Sequence, residues 1–351
     1  MTVILPPVWE TEQFPGSRLA PVRDDGPPEK ETSDMANTFA PNGFAQYSGA
    51  GSAPTYEQTL AAIASTNTTA IFLNDPVMQA TNTTGVGTGY ITQASGPITL
   101  TVSATGIATV ATGAMTITFT AISSATANIP TFASTNWAAP VGSLVVVSNA
   151  TGVPNGVFTV TSATATTVVV QSTGVAAATS ATSTPVVTVY VPVAGIFAGC
   201  KYLSVASKRT VWSNYWPGSD TANDVTAYVI TDPNARFLVQ TANYNTTATA
   251  VGQAQVGQNI GFNWNDSTST GETNGNTATG LSTMFADQFT LSSAGVTGAN
   301  AALPFRIIAL ANYQPGQAVF FSGVNGNDAT TAYNSIVVGF NNAMPRNFAG
   351  V

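Results

Sequence analysis

Asp220, Asp224, Asp232 and Asp266 are the acid–base candidates of this chain. Paired carboxylates act as general acid and base when their surroundings push their pKa values apart. All four, however, stand among Asn, Gly, Ser, Thr and Pro, in settings such as SDTAND and TDPNAR. There Asp turns the backbone through local hydrogen bonds, and the turn reading is preferred. The chain has no His and a single Cys, Cys200. Triads built on His are therefore excluded, and a zinc site lacks ligands. SDTAND has neither the spacing nor the closing Glu of an EF-hand loop. The Gly-rich stretches GAGSAP and GTGYITQASG are not followed by the GK[ST] of a phosphate loop. Cys200, between Gly199 and Lys201, reads as a small buried residue rather than a reactive thiol. No catalytic, cofactor-binding or metal-binding residue is assigned, and no cofactor is expected.

A second cluster has binding chemistry. In TVWSNYWPG, Trp212, Tyr215 and Trp216 follow the adjacent cations Lys208 and Arg209. Aromatic faces stack on the apolar faces of sugar rings, but Trp and Tyr also anchor cores and subunit interfaces. Packing is the favoured reading. It makes Lys208, Arg209, Trp212, Tyr215 and Trp216 interface candidates, with the two cations at the rim.

The elements that must position these residues are strands. DVTAYVITD and TVYVPVAGIF alternate β-branched or aromatic residues with smaller or polar ones, as half-buried strands do. Pro217-Gly218 and Asp232-Pro233-Asn234 are turns between such runs. AIFLNDPVMQ reads as strand, tight turn, strand. MFADQFTLSS, LPFRIIALANY and NSIVVGFNNA supply three more strands. LPFRIIAL places Phe305 and Ile307 on one face, with Arg306 and Ile308 on the other. EQTLAAIA, residues 57–64, has the composition of a short helix, and DSTSTGETNGNTATG, residues 266–280, that of a loop.

Between Asp75 and Lys201 there is no charged residue. Short Thr/Val-rich runs recur there, separated by Gly106, Gly113, Pro140, Pro154-Asn155-Gly156 and Gly174. Both Thr and Val favour the pleated sheet, so residues 95–187 are expected to form an inserted β module, barrel or sandwich. GYITQAS before it and VYVPVAGIF after it read as consecutive strands of one sheet. The expected organisation is all-β: an arm over residues 1–40, a discontinuous β-barrel or sandwich body over 41–94 and 188–351, and the inserted module. Extended arms lie at both ends.

Charged residues make up 7% of the sequence, against about 25% in an ordinary soluble domain. The net charge is −7, which disfavours nucleic-acid binding, since that requires clustered Lys and Arg. No apolar run reaches the roughly 18 residues of a membrane helix. Residues 1–34 hold 10 of the 25 charges and several prolines. They read either as a leader before the ordinary-looking start Met35-Ala36-Asn37, disordered in isolation, or as an extended arm that orders against a neighbouring subunit, and composition favours disorder unless a partner is present. No secretory signal is evident at the N-terminus.

The series NDPVMQ, GYITQAS, VPVAGIFAGCKYLSVASKRTVWSNYWPGS and DVTAYVITDPNARFLVQ resembles virion structural proteins of tailed bacteriophages. Within them it is most similar to the capsid decoration, or cement, proteins. The uncharged SLVVVSNATGVPNGVFTVTSATATTVVVQS is similar to a small β domain of phage virion proteins. The resemblance implies a non-enzymatic protein bound in many copies to the capsid exterior. It implies a homotrimer whose partner is the major capsid protein, with no nucleic acid or membrane involved. Other readings stay open: a head fibre, a tail-tube or major shell subunit, or a carbohydrate-binding adhesin using Trp212 and Trp216. The shell reading is weakened because that fold needs a long helix.

Overall fold

A computed structural model describes residues 37–48, 58–110, 113–124, 138–171, 181, 183–244, 246–264, 274–292, 299–311 and 330–344. Residues 1–36 and 345–351, where the sequence places the arms, lie outside the described residues, as does Asp266. The described chain is all-β, with one 3-10 turn and two four-residue helices. None of its helices is long and apolar enough to cross a membrane.

The strands are, in order, β1 (Ala45–Ser48), β2 (Gln58–Ile63), β3 (Pro76–Thr81), β4 (Gly87–Gln93), β5 (Ile98–Val110), β6 (Ala114–Ser124) and β7 (Leu144–Ser148). They continue with β8 (Gly156–Ala163), β9 (Thr167–Gln171), β10 (Val186–Tyr190), β11 (Gly195–Leu203), β12 (Thr210–Ser213), β13 (Val225–Ile230) and β14 (Arg236–Ala242). The last are β15 (Asn259–Asn263), β16 (Gly275–Asn276), β17 (Leu281–Ser282), β18 (Phe285–Asp287), β19 (Phe305–Leu310) and β20 (Ser335–Phe340).

Three closed strand systems result. The Thr/Val-rich strands β5–β10 form a barrel in the order β10-β5-β6-β9-β8-β7, closed by the β7–β10 pairing. A second ring runs β11-β13-β2-β4-β3 and returns to β11 through Gly195↔Val77 and Ile196↔Pro76, with β12 on the outside of β11. A third runs β14-β18-β15-β19-β20 and returns to β14, with β1 as an added strand. Closure leaves few unpaired edges, which is how small β proteins avoid presenting open backbone.

Side chains sort by parity. In β6, Met115, Ile117 and Phe119 are buried while Thr118 and Thr120 are exposed. One contiguous core runs from the barrel, with Ile107, Ile117 and Val168, into the third ring, with Phe237, Phe262 and Phe305. The second ring has a core of its own, built from Ile63, Ile71, Phe197, Cys200, Trp216 and Val229. Phe305 and Ile307 are buried, and Arg306 and Ile308 point outward, as the alternation of β19 requires.

Four sequence expectations are corrected. Residues 58–63 form β2, not a helix, and pair with β13 along their whole length. Six residues are too few for a stable helix in water, whereas a strand slot closes the second ring. TVYVPVAGIF is not one strand: it breaks at Val191–Ala194, where the chain leaves the barrel after β10 and enters the second ring as β11. GYITQAS and GIFAGC do share a ring, but β3 lies between β4 and β11, so they are not neighbours. MFADQFTLSS likewise gives only the short β18, followed by a helical turn at Phe289–Ser292.

Candidate functional site

The five interface candidates do not share one surface. β12 ends at Ser213, so the two-residue alternation that would put Trp212 and Trp216 on one face is lost in the bend at Asn214–Tyr215. Trp216 is fully buried in the core of the second ring. Its backbone exchanges hydrogen bonds of 2.8 and 2.9 Å with Ile71, and its ring meets Tyr202 edge-on at 5.3 Å. Tyr215 is half-buried and stacks on Phe72 at 5.5 Å with the rings 4° apart. Lys208 and Arg209 lie in the β11–β12 hairpin turn, where Lys208 takes φ 57° and its N–H donates to Ser204 O. Trp212 alone of the three aromatics is largely open, with 66% of its surface exposed.

The carboxylates read as turn formers are engaged in hydrogen bonds that organise backbone. Asp220, at φ 70°, accepts from Ser204 Oγ at 2.6 Å and Ala206 N–H at 2.8 Å, which hold it below the usual carboxylate range. Asp232 accepts from Asn234 N–H at 2.8 Å. Asp224 reaches further: it accepts from Ser65 N–H at 3.0 Å and from the Tyr90 hydroxyl at 2.8 Å, and both lower it. Cys200 is buried, and burial pushes its thiol up to about 12, so it is not a nucleophile at neutral pH. Among the described residues no group of His, Cys, Asp or Glu is placed to hold a metal ion.

The carboxylate that sequence reasoning passed over is Asp75. It is fully buried at the start of β3. Its Oδ2 accepts from Phe72 N–H and Gln93 Nε2, each at 2.8 Å. Gln93 Oε1 in turn accepts from Asn274 Nδ2 at 2.7 Å. Oδ1 is left without a well-formed hydrogen bond. Burial pushes the carboxyl up to about 7, against the opposing pull of the Ser282 hydroxyl, the Phe72 N–H and the Gln93 amide. In the sequence Asp75 is masked by its neighbours, because Asn74-Asp75-Pro76 has the composition of any turn.

The outer face of the second ring carries the one surface feature with binding geometry among those just placed. β13 pairs with β2 so that Tyr228 stands opposite Leu60, which is 65% exposed. Across β11, Trp212 leans diagonally toward Tyr228 with the rings 5.8 Å apart and 16° from parallel. Lys201, directly opposite Trp212 in register, holds its Nζ 5.1 Å from the centre of the indole. Gly199, a bulge at φ 121° on the intervening strand, adds no side chain between the two rings. Gln58, Trp212, Ser213, Asn214 and Tyr228 line an open depression of about 420 Å³ here. Asn214 is fixed by its Nδ2 donating to Thr279 O at 2.7 Å. The Gln58 amide has no partner among the described residues. This arrangement can bind a flat or ring-shaped group. Comparison with known proteins finds no matching family model, no matching curated protein and no matching solved structure.

Proposed function

We propose that the chain is a structural virion protein of the decoration type, which binds the outside of a phage capsid as a homotrimer, stabilises the shell and catalyses nothing. The observation that carries this reading is the barrel β5–β10. From Ile98 to Tyr190 the sequence has no Asp, Glu, Lys, Arg or His. The exposed positions of its strands carry hydroxyls instead, as at Thr101, Ser103, Thr118, Thr120, Thr159 and Thr161. Like charges on neighbouring copies repel, and a charge trapped in a contact costs several kcal/mol unless it is paired. A hydroxyl-covered barrel escapes both penalties, so many copies can crowd on a lattice. The resemblance of the DPV turn, GYIT strand and GIFAGC strand to decoration proteins points the same way.

Two measurements test the proposal. Sedimentation of the purified protein is expected to show a species three times the chain mass of 35.8 kDa, and mixing with undecorated phage heads is expected to raise the temperature at which the heads break open. A monomer that neither binds nor protects heads would sink it. A third expectation follows from the barrel surface. The double variant Thr118→Glu, Thr159→Glu should melt like the parent, since both positions are exposed strand sites, yet bind heads several-fold more weakly. Unimpaired head binding by that variant would remove the barrel from the contact.

A further inference from the structure

The Trp212 face of the second ring is unexplained by any role in the core. Trp216, Tyr215 and Cys200 on the same hairpin are accounted for by packing, whereas Trp212 keeps 66% of its surface open even with Tyr228 and Lys201 against it. Leu60, opposite Tyr228, is 65% exposed as well, so open apolar surface runs across β12, β13 and β2, and contiguous exposure of that kind marks contact sites. We propose that this face is a carbohydrate site, which takes a pyranose ring bearing a carboxylate, as in a hexuronic-acid glycan.

Three observations select that ligand. First, the aromatic element is a pair of nearly parallel rings, 16° apart, in an open depression. The axial C–H groups of a pyranose form a flat, weakly positive face that matches the negative face of an indole. At about 420 Å³ the depression lies in the lower part of the roughly 300–1,000 Å³ range of small-ligand sites. Second, the Gln58 amide at its edge offers donors and an acceptor with no partner among the described residues, suited to ring hydroxyls. Third, the Lys201 ammonium, which lies over the indole ring, has no carboxylate partner among the described residues. A ligand carboxylate would supply that partner. The site involves Trp212 and Tyr228, not the Trp212 and Trp216 pair that spacing in the sequence suggests. It is independent of capsid attachment: a free adhesin and a virion protein could both use it.

The test is ligand-observed NMR and calorimetry on the full chain with a galacturonate oligosaccharide and its methyl ester. The acid is expected to bind, with the strongest saturation transfer to the ring C–H protons that face the indole. Trp212→Ala should weaken binding about tenfold or more, the loss of one aromatic contact of roughly 1.4 kcal/mol. Trp212→Tyr should recover most of it, and melting curves should show both variants folded. Lys201→Met should weaken the acid several-fold and leave the ester unchanged. No binding of either glycan by the parent, or binding indifferent to Trp212→Ala, would overturn the site. Equal affinity for acid and ester would overturn the role given to Lys201 and the choice of an acidic sugar.

Discussion

Trp216→Ala lowers stability by about 3–5 kcal/mol, the range for emptying a large aromatic from a packed core. Trp216 is fully enclosed, and the core it fills is separate from, and smaller than, the one shared by the barrel and the third ring. Ile63, Phe197 and Val229 pack in the same core on strands that close a ring, and Ile71 is bridged to Trp216 itself, so they cannot collapse into the space without breaking backbone pairing. The indole N–H has no hydrogen-bond partner. Trp216→Phe therefore removes an unsatisfied donor along with some volume, and should cost much less than the alanine change. Trp212→Ala, four residues away on the open face, should cost no more than about 1 kcal/mol. Denaturant melts check all three values. Hydrogen exchange adds a spatial readout: Trp216→Ala should speed exchange in β2, β11 and β13 more than in the barrel, whose core is separate. Equal losses from the Trp212 and Trp216 substitutions would contradict the division of the hairpin into a buried and an open side.

That division was not legible in the sequence, and the reason is local. Strand parity carries side-chain direction only as long as the strand lasts, and β12 stops after four residues. Where strands run on, the pattern was readable: Phe305 and Ile307 against Arg306 and Ile308, or the Thr and Val positions of the barrel. The β-rich character of the chain was equally readable, because residues branched at Cβ dominate it. Propensity failed at EQTLAAIA, where a strand partner, β13, lies more than a hundred and fifty residues downstream and outweighs the helical preference of Leu and Ala. Alternation failed at TVYVPVAGIF for the opposite reason. It continues through Pro192 while the chain passes from one closed system to another, and the local signal is Pro192 itself, whose missing N–H cannot join a strand ladder. The exposed site was half legible. Trp212 stood out by type, but Tyr228, Gln58 and Lys201 join it only through the pairing of β2, β13, β11 and β12.

Asp75 presents the same problem in a buried form, and it sets how stability should depend on pH. The groups that enclose it, Phe72, Gln93 and Ser282, come from three separate stretches of chain. In the unfolded chain its carboxyl titrates near 3.8, and in the folded protein burial moves it to about 7. Between those values the folded state holds a proton that the unfolded state has lost. Stability therefore falls as pH rises through this window, and levels off above the folded value. The gap corresponds to about 4 kcal/mol at full expression. Asp75→Asn should flatten the fall. Both donors, Phe72 N–H and Gln93 Nε2, point at Oδ2, so the asparagine carbonyl can take that place and keep both bonds. Its NH₂ then occupies the position of Oδ1, where no well-formed hydrogen bond is lost, and the nearby Ser282 hydroxyl can turn to accept from it. Near pH 8 the variant should be more stable than the parent, because it no longer buries an ionised group. Below pH 4 the advantage should vanish or reverse. Urea melts of the two proteins across this range decide the matter: parallel curves would mean that Asp75 does not carry the pH dependence, and that the Gln93 and Asn274 contacts accommodate its charge without penalty.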